Sequence, residues 1–404
     1  IFSDNEAVVI QSRNIIRQAA AASGVVSSSI QPLYLAFGKG EVKGFTVPAM
    51  NVRALTYDFA RVVFRLAIQK KVGPFIFEIA RSEMEYTEQS HDDFAICILA
   101  AAVKEGYRGP VFIQGDHYQV KKKHFVEHKD EEIADIKKLI DGAIDAQFYN
   151  IDIDASTLVD LSKPTVIEQQ VLNSSITAEF TNYIRSKQPH DIAISIGGEI
   201  GHIGDRNSTV EDFKSFMDQY SLQILIEGIS KVSVQTGTSH GGTVLPDGTM
   251  QKVELDFSVI ESVGKMAREN YKMGGAVQHG ASTLPLELFS RFPEAGTLEI
   301  HLSTGFQNTV FEHLPEGLMQ EMMQWVKDNG KSEWKPDWNE AQFLYKTRKK
   351  AIGPFKRQLW FMRDEEKQPI IQALEQQVGA IFSQLKVENT SATIAPYFPN
   401  LITA

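Results

Sequence analysis

The sequence predicts an α/β fold of the (β/α)8, or TIM-barrel, type over residues 45–330. Eight short apolar runs, rich in β-branched and aromatic residues, alternate with longer segments of helical periodicity. Most of these runs are separated by about 30–45 residues, which is enough for a loop, a helix and a second loop. A doubly wound open sheet would produce the same alternation, so the number of strands alone does not separate the two architectures.

The predicted elements follow one another in a regular order along the chain. Amphipathic segments such as 55–71 separate the strands and are predicted to be helices. Residues 1–44 are predicted to form an N-terminal helical lead-in, and residues 331–404 a helical C-terminal extension. The eight strand candidates are 45–51, 73–79, 110–116, 147–154, 192–198, 231–237, 274–280 and 297–302.

The composition limits the class of protein. With 404 residues, 43% of them hydrophobic, the chain can bury a large core. A net charge of −10 disfavours nucleic acid and anionic membranes as partners, and no apolar run reaches the ~18 residues of a membrane span. Cys97 is the only cysteine, so no intrachain disulfide can form. These features predict a cytoplasmic protein.

Polar residues gather where the predicted strands end. In a (β/α)8 barrel these positions meet at the carboxyl-terminal rim, where active sites lie. Any one of them could be a polar turn, but polar residues at the ends of six successive strands indicate a built site. In chain order they are Asp116, His117, Asp154, Glu199, His240, His279, His301, Ser303 and Thr304.

The residue types at this rim predict metal and phosphate binding. Three imidazoles with additional carboxylates suit a borderline divalent cation such as Zn²⁺. Gly241 and Gly280 stand beside two of the histidines, and glycine lets backbone N–H groups approach a phosphate closely. A Lewis-acidic metal would make a Schiff-base lysine unnecessary, and the one candidate, Lys231, lies at the wrong end of its strand.

The motifs resemble those of the class II, metal-dependent fructose-bisphosphate aldolase family, which includes tagatose-bisphosphate aldolases. The resemblance covers about residues 45 to 310 and rests on FTVPAMNV, GDHY, IDAS, EIG, GTSHGG and HGAST. It implies that Asp116 is the catalytic acid/base. It also implies that the metal is bound by His117, His240 and His279, with Glu199 and Asp154 close to it. The implied substrate and phosphate residues are Asn51, Gly241, Gly280, Ser282 and Thr304.

Three departures from the family pattern bear on the substrate. The last strand ends His301-Leu302-Ser303-Thr304 where the family has Asn-aliphatic-Asp-Thr, although His301 and Ser303 are still predicted to face the substrate. Ala80 stands where a phosphate-binding serine is expected. The loop after Glu199 has no acid at the position of the C3 proton carrier, and Asp205 and Glu211 are the nearest substitutes.

The predicted function is that of an aldehyde-lyase. It would cleave a ketose (bis)phosphate, such as fructose 1,6-bisphosphate, reversibly to dihydroxyacetone phosphate and an aldehyde, as in glycolysis. The cofactor would be Zn²⁺ or another divalent metal, with a monovalent cation as a second expected ion, in a homo-oligomer of two or more subunits. Because of the departures, we expect weaker use of fructose 1,6-bisphosphate than of a related ketose. Two alternatives remain open: a metal-dependent ketose epimerase on the same scaffold, and a non-catalytic aldolase subunit.

Overall fold

The strands close into a parallel barrel. The computed structural model of the protein describes residues 1–201, 206–237, 245 and 254–399. The order of neighbouring strands is β4, β3, β2, β9, β8, β7, β6 and β5, and β5 also pairs with β4, which closes the barrel. This confirms the predicted (β/α)8 architecture and excludes the open sheet. The strands are β1 Val25–Ser28, β2 Val47–Met50, β3 Ile76–Ala80, β4 Gly109–Gln119, β5 Asn150–Asp154, β6 Ser195–Glu199, β7 Lys231–Val234, β8 Gly275–Gln278 and β9 Glu299–Leu302.

Helices connect the strands and flank the barrel at both ends of the chain. Short 3₁₀ turns supplement them, among them Arg348–Ala351. The helices of the described residues are α1 Glu6–Ala22, α2 Gln31–Lys39, α3 Thr56–Lys70, α4 Arg81–Thr87, α5 His91–Glu105, α6 Lys122–Glu127, α7 Lys129–Asp145, α8 Val166–Lys187, α9 Val210–Ser221, α10 Phe257–Tyr271, α11 Arg291–Glu294, α12 Thr304–His313, α13 Glu316–Asn329, α14 Glu340–Thr347, α15 Lys356–Trp360, α16 Asp364–Gln384 and α17 Ser391–Ile394.

The N-terminal lead-in contains a strand that the sequence did not predict. β1 lies parallel to the first part of β4, with Val25 opposite Gly109, and β5 joins β4 only from Gln114 onwards. The Asn150 side chain fixes this junction, because its amide donates to the backbone oxygens of Ser28 and Ile113. Four residues are too few for a visible alternation of polar and apolar residues, so neighbouring helical periodicity hid the strand.

The apolar core lies between the barrel and its outer helices. Phe64 of α3 has its ring centroid 5.3 Å from that of Phe77 on β3 and 4.8 Å from that of Tyr107. Each fully buried side chain of this kind contributes roughly 1.5–3 kcal/mol to stability. In the C-terminal extension α16 packs against α3 and α12, so the extension covers one side of the barrel. No helix of the described residues is long and apolar enough to cross a membrane.

Candidate metal and substrate site

A β-bulge in β4 presents Asp116 and His117 to the same cavity. Gly115 lies opposite Ile151 and Tyr118 lies opposite Ile153, so β4 advances three residues while β5 advances two. Successive residues of a regular strand point to opposite faces, and one extra residue breaks this alternation. His117 takes up a left-handed φ of +42°, and both side chains line the cavity. The Asp-His pair is therefore a bulge inside a longer strand, whereas the sequence placed it at the end of a strand over 110–116.

Gly115 and Tyr118 shape this bulge from the other side. A Cβ atom on Gly115 would lie 2.5 Å from the Tyr118 hydroxyl oxygen, closer than side-chain atoms tolerate. The Tyr118 ring is fully buried, and its hydroxyl lies 2.7 Å from Nε2 of His91 on α5. Glycine is thus required at 115 because a buried tyrosine lies directly against it.

The metal-binding candidates His117 and His279 lie together at the rim. Their ring centroids are 4.2 Å apart, and a ligand atom from each lies within 4.8 Å of one from Asp116. His279 is buried at the end of β8, and its Nε2 lies 2.7 Å from the hydroxyl of Ser233 on β7. The third predicted ligand, His240, lies outside the described residues, as does Gly241.

Two buried carboxylates, Asp154 and Glu199, flank His117. Its Nδ1 lies 2.7 Å from Glu199 Oε1 and 3.3 Å from Asp154 Oδ2. Burial and the neighbouring Asp154 raise the pKa of Glu199 to about 8. Burial opposes protonation of His117, yet the Asp116 and Glu199 carboxylates outweigh it and hold the pKa of the imidazole well above its usual value.

The charge around His117 favours a bound cation. Asp116, Asp154 and Glu199 bring three carboxylates to His117, and in the part of the chain that the structure describes no lysine or arginine forms an ion pair with Asp154 or Glu199. Buried carboxylates are otherwise paired or bound to a metal. Imidazole nitrogens and carboxylate oxygens are the donors that Zn²⁺ prefers. The residues present therefore fit a divalent metal.

A second histidine, His301, stands beneath this group and is also surrounded by carboxylates. Its Nδ1 lies 2.9 Å from Glu78 and 3.0 Å from Asp116, and its Nε2 lies 2.6 Å from Glu299. A histidine whose two nitrogens both face carboxylates donates from both and is positively charged. Burial opposes this charge, but Glu78 and Asp116 hold the pKa of His301 well above its usual value.

Lys231 completes this second group from inside the barrel. Its ammonium lies 2.9 Å from Asp152, 2.5 Å from Glu299 and 2.7 Å from the side-chain oxygen of Gln114. Tyr34 also donates its hydroxyl to Glu299. Barrel interiors are usually filled by branched apolar side chains, so this buried polar layer departs from the usual interior. We call Glu78, Asp152, Lys231, Glu299 and His301 the interior network.

Arg53 occupies the side of the cavity where phosphate binding was predicted. It follows β2 with a left-handed φ of +66°, and its Nε lies 2.6 Å from Glu83. Its Nη2 donates to the Ser303 hydroxyl at 2.6 Å, and its Nη1 donates to Thr304 Oγ1 at 3.1 Å. The predicted substrate residue Asn51 is buried beside them and donates to the same Glu83 carboxylate.

Most of the predicted site residues that are described meet in one cavity of about 260 Å³. Asp154, Glu199 and Asn51 are buried next to its lining. Glu211 does not line this cavity: it is exposed in the first turn of α9, where an acidic residue stabilises the start of the helix. Asp205 lies outside the described residues. The predicted residues that line the cavity are Asp116, His117, His279, Gly280, Ser282, His301, Ser303 and Thr304.

Sequence reasoning missed Arg53, Glu83 and Lys349, all of which line this cavity. Arg53 stands two residues beyond Asn51, so its position after a strand was a usable signal. Glu83 lies in a helical segment, where a carboxylate is ordinary. Lys349 comes from the C-terminal extension, and nothing in its local sequence links it to the barrel rim.

The fold and the site together define a (β/α)8-barrel protein with a histidine- and carboxylate-lined pocket, and comparisons with known proteins agree with the fold. The family model described as "Fructose-bisphosphate aldolase class-II" matches residues 35–358. Since this match spans most of the chain, the protein belongs to the class II fructose-bisphosphate aldolase family. A search of the curated proteins found no significant match.

Two solved structures illustrate the range of relatives with this fold. The fructose-bisphosphate aldolase of Campylobacter jejuni is 16% identical with a TM-score of 0.51, over 88% of this chain and 93% of that one. The fructuronate-tagaturonate epimerase of Cohnella laeviribosi is 12% identical with a TM-score of 0.56, over 85% of this chain and 82% of that one. At such identities the likeness establishes the fold and leaves the reaction open.

Proposed function

We propose that the protein is a metal-dependent aldehyde-lyase that cleaves a carbon–carbon bond of a ketose by a reversible retro-aldol reaction. The observation that carries this proposal is the bulge that holds Asp116 and His117 side by side next to His279. A base beside a metal-ligand cluster is the arrangement that this reaction needs. Membership of the aldolase family supports the same reaction class.

The proposed cofactor is Zn²⁺ or another divalent cation. His117 and His279 would hold it together with His240. Glu199 and Asp154 lie close enough to His117 to orient its imidazole or to bind the metal themselves. When bound, the metal supplies a Lewis acid for the negative charge that develops on the ketone oxygen. A monovalent cation remains an expectation from the family resemblance alone.

The chain itself would move the proton. Asp116 would take the proton from the hydroxyl of the carbon that becomes the aldehyde. The bond between that carbon and its neighbour then breaks, and the electron pair passes into the ketone. Asp116 returns the proton in the condensing direction. Lys231 is not a Schiff-base candidate, because Asp152 and Glu299 outweigh its burial and raise the pKa of its ammonium, which keeps it protonated.

The proposed substrate is a ketose with an anionic group, as in the ketose phosphates that the family implies. Fructose 1,6-bisphosphate itself is expected to be a poor substrate. The reason is that His301 and Ser303 replace the usual residues, and Arg53 already binds the Ser303 and Thr304 hydroxyls that would face a phosphate. A kcat/KM on this bisphosphate of about 10⁴ M⁻¹s⁻¹ or more, near the lower edge of typical enzymes, would contradict this expectation.

A ketose epimerase is the second candidate, and the position of Glu211 favours it. A lyase needs an acid that moves the C3 proton, and Glu211, one of two predicted substitutes, is exposed on α9 and absent from the cavity lining. An epimerase that breaks and remakes the same bond has less need of this acid. The epimerase of Cohnella laeviribosi supports the scaffold's suitability for such a reaction.

We also propose a cytoplasmic homo-oligomer that acts on small molecules and binds neither nucleic acid nor membranes. The net charge of −10 and the single cysteine support this proposal. Size-exclusion chromatography with light scattering would measure the number of subunits.

Metal analysis combined with a substrate screen tests the proposed function. The purified protein would be analysed for divalent metals and incubated with ketose phosphates and free ketoses, while both triose release and epimer formation are followed. Triose release establishes the lyase, and epimer formation without release establishes the second candidate. Stoichiometric metal with neither product on any ketose would contradict both and favour a non-catalytic subunit.

A further inference from the structure

One end of the cavity carries positive charge that the proposed reaction does not use. Arg53 and Lys349 both line the cavity on the side of Ser303 and Thr304. Arg53 comes from the loop after β2, and Lys349 comes from the 3₁₀ turn Arg348–Ala351 in the C-terminal extension. Two cations from segments so distant in the chain meet at this end of one cavity.

Hydrogen bonds hold the Arg53 side chain in place and leave one of its N–H donors available. Its side chain is only 12% exposed, and it donates to four acceptors: Glu83, Ser303, Thr304 and Gln307. A guanidinium has five N–H donors in a fixed planar fork. Among the described residues one N–H on Nη2 therefore has no acceptor. A planar, oxygen-bearing ligand could accept it without disturbing the others.

Lys349 presents a less constrained charge. In the described part of the chain its ammonium makes no hydrogen bond or ion pair, and it lies 5.2 Å from the centre of the Tyr86 ring. Burial, with the nearby Arg53 charge, lowers the pKa of Lys349 to about 8. A half-buried ammonium without a carboxylate partner beside a cavity is suited to receive an anion from solution.

The local charge balance indicates the kind of anion. Glu83 neutralises Arg53, Glu132 pairs with Arg81 at 2.6 Å, and Glu85 lies 3.3 Å from the exposed Lys121. Lys349 is left as about one uncompensated positive charge at this end. A carboxylate carries one negative charge and is planar, whereas a phosphate monoester carries between one and two near pH 7. The charge and the available donor both match a carboxylate better.

We propose that Arg53 and Lys349 bind a terminal carboxylate of the substrate, so that the substrate is a keto sugar acid. This inference rests on the proposed function, because it assigns the substrate class of the same cavity. The guanidinium would orient the carboxylate through its available N–H, and the ammonium would supply the neutralising charge. The ketone at the other end of the substrate would then face Asp116 and the metal ligands.

Binding of two unreactive three-carbon probes tests this subsite without turnover. D-glycerate carries a carboxylate and sn-glycerol 3-phosphate carries a phosphate, and neither has a ketone to cleave. Their Kd values would be measured by calorimetry on the full-length, metal-containing protein. We expect D-glycerate to bind more tightly than sn-glycerol 3-phosphate. Equal or tighter binding of the phosphate would overturn the assignment of a carboxylate.

Variants of neighbouring lysines separate the subsite from other modes of binding. Lys349→Gln should weaken D-glycerate binding by about tenfold or more, as expected for a lost charge-assisted hydrogen bond, and Lys349→Arg should retain it. The matched control is Lys350→Gln, since Lys350 instead lies 2.5 Å from Glu333 and should not affect binding. Chelation of glycerate by the metal would survive Lys349→Gln.

The outcomes distinguish this inference from the proposed function. An unchanged Kd in Lys349→Gln, an equal loss in Lys350→Gln, or the absence of saturable binding of D-glycerate would overturn the subsite. If D-glycerate binding depends on Lys349 while no ketose or keto acid is cleaved or epimerised, the subsite stands and the proposed function fails. If ketose phosphates are cleaved and Lys349→Gln has no effect, the proposed function stands and the subsite fails.

Discussion

His117 and His301 are both surrounded by buried carboxylates, yet their surroundings differ in one respect. The interior network around His301 contains its own fixed cation, since Lys231 lies within 2.9 Å of both Asp152 and Glu299. In the group around His117, the ion pairs of Asp154 and Glu199 among the described residues are made with imidazoles. One cluster thus carries a lysine as a permanent counter-charge, whereas an imidazole is charged only when it is protonated.

This difference distinguishes the histidine cluster that is suited to a metal from the one that is suited to support the fold. Both sets have donors at ligand distance from one another, so geometry alone would nominate either. Charge separates them, because Lys231 lies where a cation would otherwise be needed in the interior network. Asp116 connects the two, 3.0 Å from His301 and 3.9 Å from His117. Asp116 thus lies between the interior network, which contains a fixed cation, and the group around His117, which is suited to a metal. This position suits an acid/base group.

The largest expected effect is the loss of the proposed metal from the rim cluster, by which we mean Asp116, His117, Asp154, Glu199 and His279. His279→Ala removes an imidazole ligand without touching Lys231, so the metal content should fall well below one per chain and turnover should be lost with it. Elemental analysis and a thermal unfolding scan would show metal loss in a folded protein. His190→Ala is the control, because this side chain is fully exposed and should change neither. Retention of stoichiometric metal in His279→Ala would remove it from the ligand set.

The next effect concerns Asp116, which links the two clusters. Asp116→Asn keeps the shape of the side chain but cannot accept the substrate proton, so kcat should fall by ~10²–10⁴-fold. Metal content should be unchanged, because Asp116 is proposed as a base and not as a ligand. Asp145→Asn, an exposed carboxylate at the end of α7, serves as the control. Normal turnover in Asp116→Asn would exclude Asp116 as the base.

Removal of Lys231, the cation of the interior network, should lower the stability of the protein and leave its metal content unchanged. Lys231→Met leaves Asp152 and Glu299 without their counter-charge in the barrel interior, which should cost about 3–5 kcal/mol of unfolding free energy. Urea denaturation would measure this loss. Lys121→Met, at an exposed lysine paired only with Glu85, should stay within about 0.5 kcal/mol of the wild type. A stable Lys231→Met protein that has lost its metal would reverse the distinction between the clusters.

The sequence predicted the rim cluster well because its residues follow strands at regular intervals. In a parallel barrel every strand ends at the same rim, so Asp154, Glu199 and His279 are brought together by topology alone. The β4 bulge was beyond such reasoning, because it depends on how β4 pairs with β5 and on Tyr118 packing against Gly115. Sequence reasoning therefore placed Asp116 and His117 at the end of β4 but missed the bulge that presents both of them to the cavity.

Residues that act through long-range packing could not be predicted in this way. Lys231 begins its strand and so lies deep in the barrel, where its role depends on Glu299 and Asp152 from two other strands. Lys349 reaches the cavity because the C-terminal extension folds back over the barrel. Glu211 was chosen for its charge near the expected loop, but the capped start of α9 places it in solvent. In each case a contact between distant segments decides the role.

The smallest expected effect is a pH dependence of anion binding to which Lys349 contributes. Burial, with Arg53 beside it, lowers the pKa of Lys349 to about 8, so its charge is present below that pH and is lost above it. The affinity for D-glycerate should therefore fall by up to about tenfold between pH 7 and pH 9. Arg53, Glu83, Lys346 and Lys350 are the charged groups that act on Lys349.

The variant Lys349→Arg makes this dependence specific, because a guanidinium stays charged up to pH 12 and beyond. Its affinity for D-glycerate should therefore fall less than that of the wild type between pH 7 and pH 9. Calorimetric titrations of both proteins in buffers of equal ionic strength would measure the difference. If Lys349→Arg shows the same fall as the wild type, another group titrates, and the charge at this end of the cavity does not come from Lys349. A smaller fall in the variant than in the wild type would assign the titrating positive charge at this end of the cavity to Lys349, whereas the charge of the interior network is held by the buried ion pairs of Lys231.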